Sequence, residues 1–495
     1  MAGRLGFAVA GRLGFAALGA GALGMAVLGA GAAQAGSWTI TPSLSTTQTF
    51  TDNVLSVDDG AEFDTVNTTN AGIALNGRGG RTQANFNYNL SRDTYADHSE
   101  LDGFRHSMLG AGSIDLYEEY LTLDARASVS ESIVNQAGAD TASDRTSTNR
   151  TRVLNYGFSP TFRHGNDGWA DSILSYTFSQ VRTFRTAVAG TSGALPSSYT
   201  HTINSSLTSG RRFSVFGWGI HGSTVWSYTS NKFRSRRDSL DVNGSYRFNQ
   251  FVTLTASAGH DKVRDKNNPN DQNSGIFWRA GVNLTPSPRT SLAVQYGHRY
   301  NNENITGNFS YRFSPQTSVQ GSYTVSLQTQ QEALAASLNN LVFNDQGELV
   351  DADTGLPVDF TNFGVTLVDA TLRTETFSLG LNGSRGRNSF TVSTNFTKRD
   401  IGSNGGQDKN FALNGSLSRR LTPKANATVR AAYSKSIPAN VNSASVDTYT
   451  GSASYAYNFS NDLSGTVDYN LVVRDSDVSN DFMENVVAVR LRKSF

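Results

Sequence analysis

Seven histidines (His98, His106, His164, His201, His221, His260 and His298), a large stock of serines and a set of arginines in alternating segments are the side chains here that could do chemistry. A hydrolytic metal would need histidines at ligand spacing, such as HExxH, so that two rings reach one ion from one face. The histidines are scattered and make no such pair. Phosphate chemistry would call for a Walker loop and acyl transfer for a GxSxG elbow, and neither occurs. The run Asp261-Lys-Val-Arg-Asp-Lys-Asn-Asn-Pro-Asn-Asp271 offers oxygen ligands of the kind calcium takes, but not in EF-hand order, and no metal is assigned to it. With no cysteine, disulfides, iron–sulfur clusters and covalently attached haem are excluded. No catalytic residue and no cofactor is therefore expected, and the chain is read as a non-enzyme.

The arginines point to binding instead. Arg126, Arg247, Arg279, Arg299, Arg312 and Arg430 stand on the polar phase of alternating segments. Were those segments to wall a water-filled lumen, guanidinium groups lining it would favour anions. The competing reading pairs the same arginines with carboxylates, so that they hold the wall in shape. Most of the 41 acidic residues fall in the longer connections, where they are read as solvated loops.

The elements that position these residues are strands. Gln83-Ala-Asn-Phe-Asn-Tyr-Asn-Leu-Ser91 sets Ala84, Phe86, Tyr88 and Leu90 on one face and Asn85, Asn87, Asn89 and Ser91 on the other, which is period two. Leu240 to Phe248, Phe411 to Leu417 and Tyr449 to Phe459 repeat the pattern, and the last turns back through Ser460-Asn461-Asp462 into Leu463 to Leu471. Strands of soluble sheets are usually about five or six residues, whereas these runs persist for about ten to fourteen, the length a tilted strand needs to cross a bilayer.

Tight turns follow many of the runs, as in Leu284-Thr-Pro-Ser-Pro288, Tyr311-Arg-Phe-Ser-Pro315 and Leu421-Thr-Pro-Lys424; proline presets the turn dihedral and cannot donate to a ladder. Turns near Gly79, Glu118, Asn166, Arg211, Gln250, Pro286, Pro315, Gly386, Pro423 and Asn461 alternate with longer polar segments such as Ser132 to Asn149, His260 to Ser274 and Ile401 to Lys409. Short turns on one side and long loops on the other mark an outer-membrane barrel, and about ten tight turns imply roughly 22 strands, within a range of about 18 to 24. The longest connection, Gln328 to Ala370, opens on the helix-prone Gln330-Gln-Glu-Ala-Leu-Ala-Ala-Ser-Leu338 and is expected to fold into or over the pore, or to stand outside as a mobile loop.

Composition agrees: 495 residues with 37% hydrophobic, 17% charged, 28 Phe and 18 Tyr are too aromatic for a disordered chain, and a net charge of +1 argues against a nucleic-acid partner. Residues 1–35 carry Arg4 and Arg12, no acid, an apolar stretch and the ending Ala33-Gln34-Ala35, so a secretory signal peptide cleaved after Ala35 is expected, with 36–495 as the barrel. At the other end Val487, Val489, Leu491 and Phe495 share a face, similar to the carboxy-terminal strand by which the barrel-assembly machinery recognises outer-membrane proteins; Lys493 departs from the pattern.

Ile40-Thr-Pro-Ser-Leu-Ser-Thr-Thr-Gln-Thr-Phe-Thr-Asp-Asn-Val54 resembles the opening of a family of β-barrel porins of Gram-negative bacteria, including those associated with PEP-CTERM and exopolysaccharide gene clusters. The resemblance implies an outer-membrane barrel and a link to surface polysaccharide, and carries no site residues; Asp52 and Asn53 are accounted for by an Asx turn. A TonB-dependent transporter would need a plug before its first strand, and strand signals begin at Trp38.

The expected fold is thus all-β, a transmembrane antiparallel β-barrel. The expected function is a porin-like channel for passive diffusion of small hydrophilic solutes, with anions and saccharides as candidates. Expected partners are outer-membrane lipid, lipopolysaccharide and the barrel-assembly machinery. The alternative is a non-conducting or partner-gated barrel of an exopolysaccharide export or surface-assembly system, with polysaccharide-export components as partners. A lipid-modifying barrel enzyme is a third and weaker reading.

Overall fold

The protein is described by a computed structural model over residues 36–133, 146, 150–166, 168–184, 197–230, 233–266, 273–339, 341–343, 349–351, 371–401, 406–439, 445–477 and 481–495. The expected signal peptide lies outside the described residues. The first strands are β1 (Ser37–Thr51), β2 (Asp64–Arg78), β3 (Thr82–Tyr95), β4 (Gly103–Tyr117), β5 (Leu121–Ile133), β6 (Arg150–Asn166), β7 (Ala170–Thr183) and β8 (Ser198–Ser209). They continue through β9 (Phe216–Thr229), β10 (Arg234–Arg247), β11 (Val252–Asp265), β12 (Gly275–Ser287), β13 (Thr290–Arg299), β14 (Asn302–Ser314) and β15 (Thr317–Gln328). The helix α1 (Gln330–Asn339) and a hairpin of β16 (Leu341–Phe343) and β17 (Leu349–Asp351) interrupt the series. It resumes with β18 (Leu372–Arg385), β19 (Asn388–Ile401), β20 (Gly406–Thr422), β21 (Ala425–Ile437), β22 (Val446–Asn458), β23 (Leu463–Ser476) and β24 (Phe482–Ser494).

All strands but β16 and β17 form one 22-stranded antiparallel sheet in which each pairs with its neighbours in sequence. β1 also pairs with β24, from Ser43 opposite Ser494 to Thr51 opposite Val486, which closes the barrel and removes its edges. Every expected tight turn joins two neighbouring strands, and the count of 22 follows. The proline corner after β12 falls on Pro288 and Arg289, while Pro286 lies inside the strand, where the β12–β13 register slips between Leu284 and Ser287. A bulge is one of the few places a strand tolerates a proline. The other register slips, at Asp115, Arg312 and Arg420, also sit beside tight turns.

Alternation becomes inside and outside. On β10, Leu240, Val242 and Tyr246 are exposed apolar side chains, and Asp241, Asn243, Ser245 and Arg247 take the opposite, inner phase. Directly opposed residues share a face, so this assignment propagates around the closed ring through the ladder registers.

Strands outlast the apolar band, and here the structure corrects the sequence reading. The expected loop His260 to Ser274 is strand as far as Asp265, Ser132 and Ile133 belong to β5, and β20 begins at Gly406. Beyond the lipid a strand needs no apolar face, so charges on both phases hid the period. On the loop side the rim dips at β13–β14, joined by Tyr300 and Asn301 alone, both at positive φ (58° and 57°) as a primed two-residue hairpin turn requires. The β14–β15 ladder stops at Gly307 opposite Tyr323, leaving residues 302–306 paired only with β13 and 324–328 only with β18. Arg373 bridges this gap through a 2.7 Å bond to Asn304 Oδ1.

Candidate functional site

The segment that follows β15 turns inward at this low rim. Thr329 and Glu332 form a capping box: the Thr329 N–H donates to Glu332 Oε2 at 2.8 Å, and the Glu332 N–H donates to Thr329 Oγ1 at 3.2 Å. This starts α1 and leaves the Glu332 carboxylate aimed at the wall. There it accepts from Arg237 Nη2 at 2.7 Å and from the Ser227 hydroxyl. Ala335, one turn further along, is buried against Val153 and Val181. Ser227, Arg237, Val153 and Val181 belong to β9, β10, β6 and β7, and all four lie on the inner phase. The helix therefore sits inside the barrel mouth, against strands far around the ring from β15.

Next to Arg237 the wall carries a second organised cluster. Arg299, at the end of β13, forks onto Asp261 with Nε–Oδ2 and Nη2–Oδ1 distances of 2.7 and 2.8 Å, and reaches Ser239 Oγ at 3.1 Å. Its guanidinium lies 4.3 Å from the ring centroid of Phe277, with Arg279 at 5.6 Å from the same ring. Phe277 is almost wholly buried although it faces inward, because Gly259 opposite it leaves room; a Cβ there would meet Phe277 Cζ at 2.6 Å. A cation over an aromatic face and a bidentate carboxylate together hold Arg299 in one orientation.

Other pairs continue around the loop-side half. Arg105 Nε donates to Asp93 Oδ2 at 2.6 Å, with Thr68 on the other oxygen at 2.7 Å, and Arg399 Nη2 donates to Asp408 at 2.8 Å. Of the acids in the connection before β2, Asp52, Asp58, Asp59 and Glu62 are exposed, as solvated loop residues are, whereas Asp64, the first residue of β2, is fully buried. Its oxygens accept the backbone N–H groups of Thr65, Ala96, Asp97 and His98 and meet the His98 ring at 2.9 Å. In the connection between β3 and β4, the Asp64 carboxylate, aided by Glu62 at 2.9 Å, holds the His98 pKa above its ordinary value. Asn53 closes a wider turn than the expected Asx turn, bonding both ways with Val57 four residues on, and in addition donates to Met483 O at 3.1 Å, while Asp52 accepts from Asn485. The motif thus latches the first connection to the last strand.

The six arginines singled out by sequence all occupy the inner phase. Arg126 stands opposite Gly157, Arg247 opposite Thr253, Arg279 opposite Ser257, Arg312 opposite Ser318 and Arg430 opposite Ser416, while Arg299 ends β13. Only Arg279 and Arg299 are brought together. Arg247 and Arg312 are at the tight-turn end, with Arg126 and Arg430 further up the wall. Arg247, Arg312 and Arg430 are exposed and make no ion pair among the described residues. At the carboxy terminus Val487, Val489 and Leu491 are exposed on the outer phase, and the Phe495 N–H donates to Pro42 O at 2.9 Å. Sequence reading missed Arg237, Glu332, Asp93, Arg105 and Asp408. The Thr329-x-x-Glu332 spacing was the available signal for the first contact; the wall partners are far apart in sequence and left none.

Comparison with known proteins bears on the same wall. Residues 28–167 match a sequence family described as "Putative beta-barrel porin 2". That match covers the segment from which the resemblance was read. No curated protein matches the chain. Among solved structures, the FrpB iron transporter from Neisseria meningitidis (F3-3 variant) superposes with a TM-score of 0.50 at 11% identity, over 92% of this chain and 81% of that one. The siderophore receptor PirA from Acinetobacter baumannii gives 0.49 at 10% identity, over 92% and 80%. OpdK from Pseudomonas aeruginosa, solved with vanillate, gives 0.36 at 8%, over 92% and 99%. At such identities the FrpB likeness speaks to the fold alone, a large closed β-barrel.

Proposed function

We propose that this barrel is a passive outer-membrane channel for small hydrophilic solutes, selective for anions. The reading is carried by the inner wall, where exposed arginines without acidic partners stand below a mouth narrowed by α1. A solute would be sieved by size at α1 and then meet the guanidinium groups of Arg247, Arg312 and Arg430, which favour negative charge. Saccharides, neutral and rich in hydroxyls, would use the Asn, Ser and Thr side chains between them.

One observation favours a second reading. Helix α1 is tied to the wall by Glu332 on Arg237, and the Thr371 N–H, just before β18, donates to Asp265 Oδ2 at 3.3 Å, so the mouth would widen only if α1 moved. A barrel closed in this way would be gated by a partner, such as a polysaccharide-export component. Single-channel conductance of refolded 36–495 in a planar bilayer under a salt gradient separates the two. Steady steps with anion preference support the open channel. A folded barrel that conducts only after removal of 329–371 supports the gated one.

A further inference from the structure

The outer face of the loop-side rim is uneven in charge. On the lipid-facing phase of β10 and β11, Arg234, Arg236, Lys262 and Arg264 are all exposed, and Asp238 is the single acid. Asp238 binds Arg236 at 2.9 Å and stands opposite Lys262, while Arg236 stands directly opposite Arg264. Like charges opposed across two strands weaken the pairing. Elsewhere on this phase Lys435 meets Asp447 at 2.6 Å, Arg373 meets Glu375 at 2.5 Å and Asp400 at 3.2 Å, and Lys398 meets Glu375 at 3.7 Å, while Arg92 and Arg182 stand singly over the rings of Phe104 and Phe184. Four cations gathered on two adjacent strands around one acid leave a local surplus of positive charge, which points to an anion from outside.

The surroundings say what kind of anion. Arg236 lies 5.4 Å from the Trp226 ring and Arg234 lies 5.8 Å from that of Tyr228, which stacks on Tyr199 at 4.9 Å. These rings, with Tyr176, His201 and Arg234, line an open recess of about 490 Å³ on the outside of the barrel. Immediately below, the same face becomes Leu240, Val242 and Ile276, all strongly exposed. Cations and amphipathic rings above an apolar wall match an amphiphile with an anionic head and acyl chains.

We propose that the β8–β11 face binds the phosphorylated head of an outer-leaflet glycolipid of the lipid A type, whose acyl chains lie along the apolar band. The inference goes beyond the channel reading and needs only that the long loops face outward. The test is retention of lipid by the full-length protein in mixed detergent micelles, read by native mass spectrometry. Lipid A, enzymatically dephosphorylated lipid A and inorganic phosphate serve as probes. Wild type should hold lipid A at least about tenfold more tightly than its dephosphorylated form, and millimolar inorganic phosphate should not displace it. The combined Arg234→Gln, Arg236→Gln, Lys262→Gln and Arg264→Gln variant should lose that discrimination, whereas Lys398→Gln with Lys435→Gln should keep it. Equal retention of the two lipids by wild type would overturn the proposal without recourse to any variant. So would displacement by free phosphate, or undiminished discrimination in the four-site variant.

Discussion

In the loop-side half of the barrel, four inward arginines are held by acids: Arg105 by Asp93, Arg299 by Asp261, Arg399 by Asp408 and Arg237 by Glu332. In the tight-turn half, Arg247 and Arg312 point into the same lumen and meet no acid among the described residues. The two regions share a residue type, a phase and a barrel, yet the same guanidinium does different work in each. Where carboxylates are buried beside it, it is bound in place and holds strands and α1 to the wall. Where water surrounds it, its field reaches the lumen. Arg279 and Arg299 were grouped by sequence with Arg247 and Arg312, and the structure divides that set. Arg299 serves the first purpose, and Arg247 and Arg312 are placed for the second.

Experiments on α1 should show the largest effect. Replacing 329–371 by a short Gly/Ser linker is expected to raise single-channel conductance by about twofold or more, because the helix occupies the mouth. Glu332→Ala should do so in part and with added noise, since the capping box and the Arg237 contact go together. Unchanged conductance in both would mean that α1 does not limit flow.

Next in size is the stability of the paired half. Asp93→Ala takes the bidentate carboxylate away from the nearly buried Arg105 guanidinium and should cost about 3–5 kcal/mol, seen as a lower urea midpoint for loss of the heat-modifiable folded band. Arg247→Glu with Arg312→Glu should cost less than about 0.5 kcal/mol, as exposed substitutions do. The same double change should move the reversal potential toward cation preference. An equal loss of stability from both variants would erase the distinction between the two halves.

Smaller again is the latch between the first connection and β24. Asn53→Ala should cost about 1–2 kcal/mol through its bonds to Val57 and Met483, measurable by the same urea midpoint.

The smallest effect is pH-dependent. His98 has its pKa raised by Asp64, so its contribution is full below the ordinary value of about 6.5 and is lost as pH climbs through the raised folded value. The resistance of loop 96–102 to protease, relative to His98→Gln, should therefore fall as pH rises across that range. A relative resistance that grows with pH would contradict the assignment.

Much of the fold was legible because a lipid-spanning strand is forced to alternate. The runs at 83–91, 240–248 and 449–459 show their period without help, and ten tight turns fix the ring at 22. The strand ends at Asp261–Asp265 and Gly406–Lys409 were illegible for the opposite reason: outside the lipid both phases are charged, and no contrast remains. The helix at 330–338 was visible from its composition, and its place inside the mouth was not.

The sequence by itself determined the architecture, since alternation, turn chemistry and strand length are local properties set by bilayer and backbone. It also determined which arginines lie on the inner phase, because that follows from parity along each strand. Only the tertiary structure decided which of them are held and which are left to the lumen. A charge is defined by its neighbours, and here the partners are 38 residues apart for Arg299 and Asp261 and 95 for Arg237 and Glu332, brought together by ring closure and by the inward turn after β15.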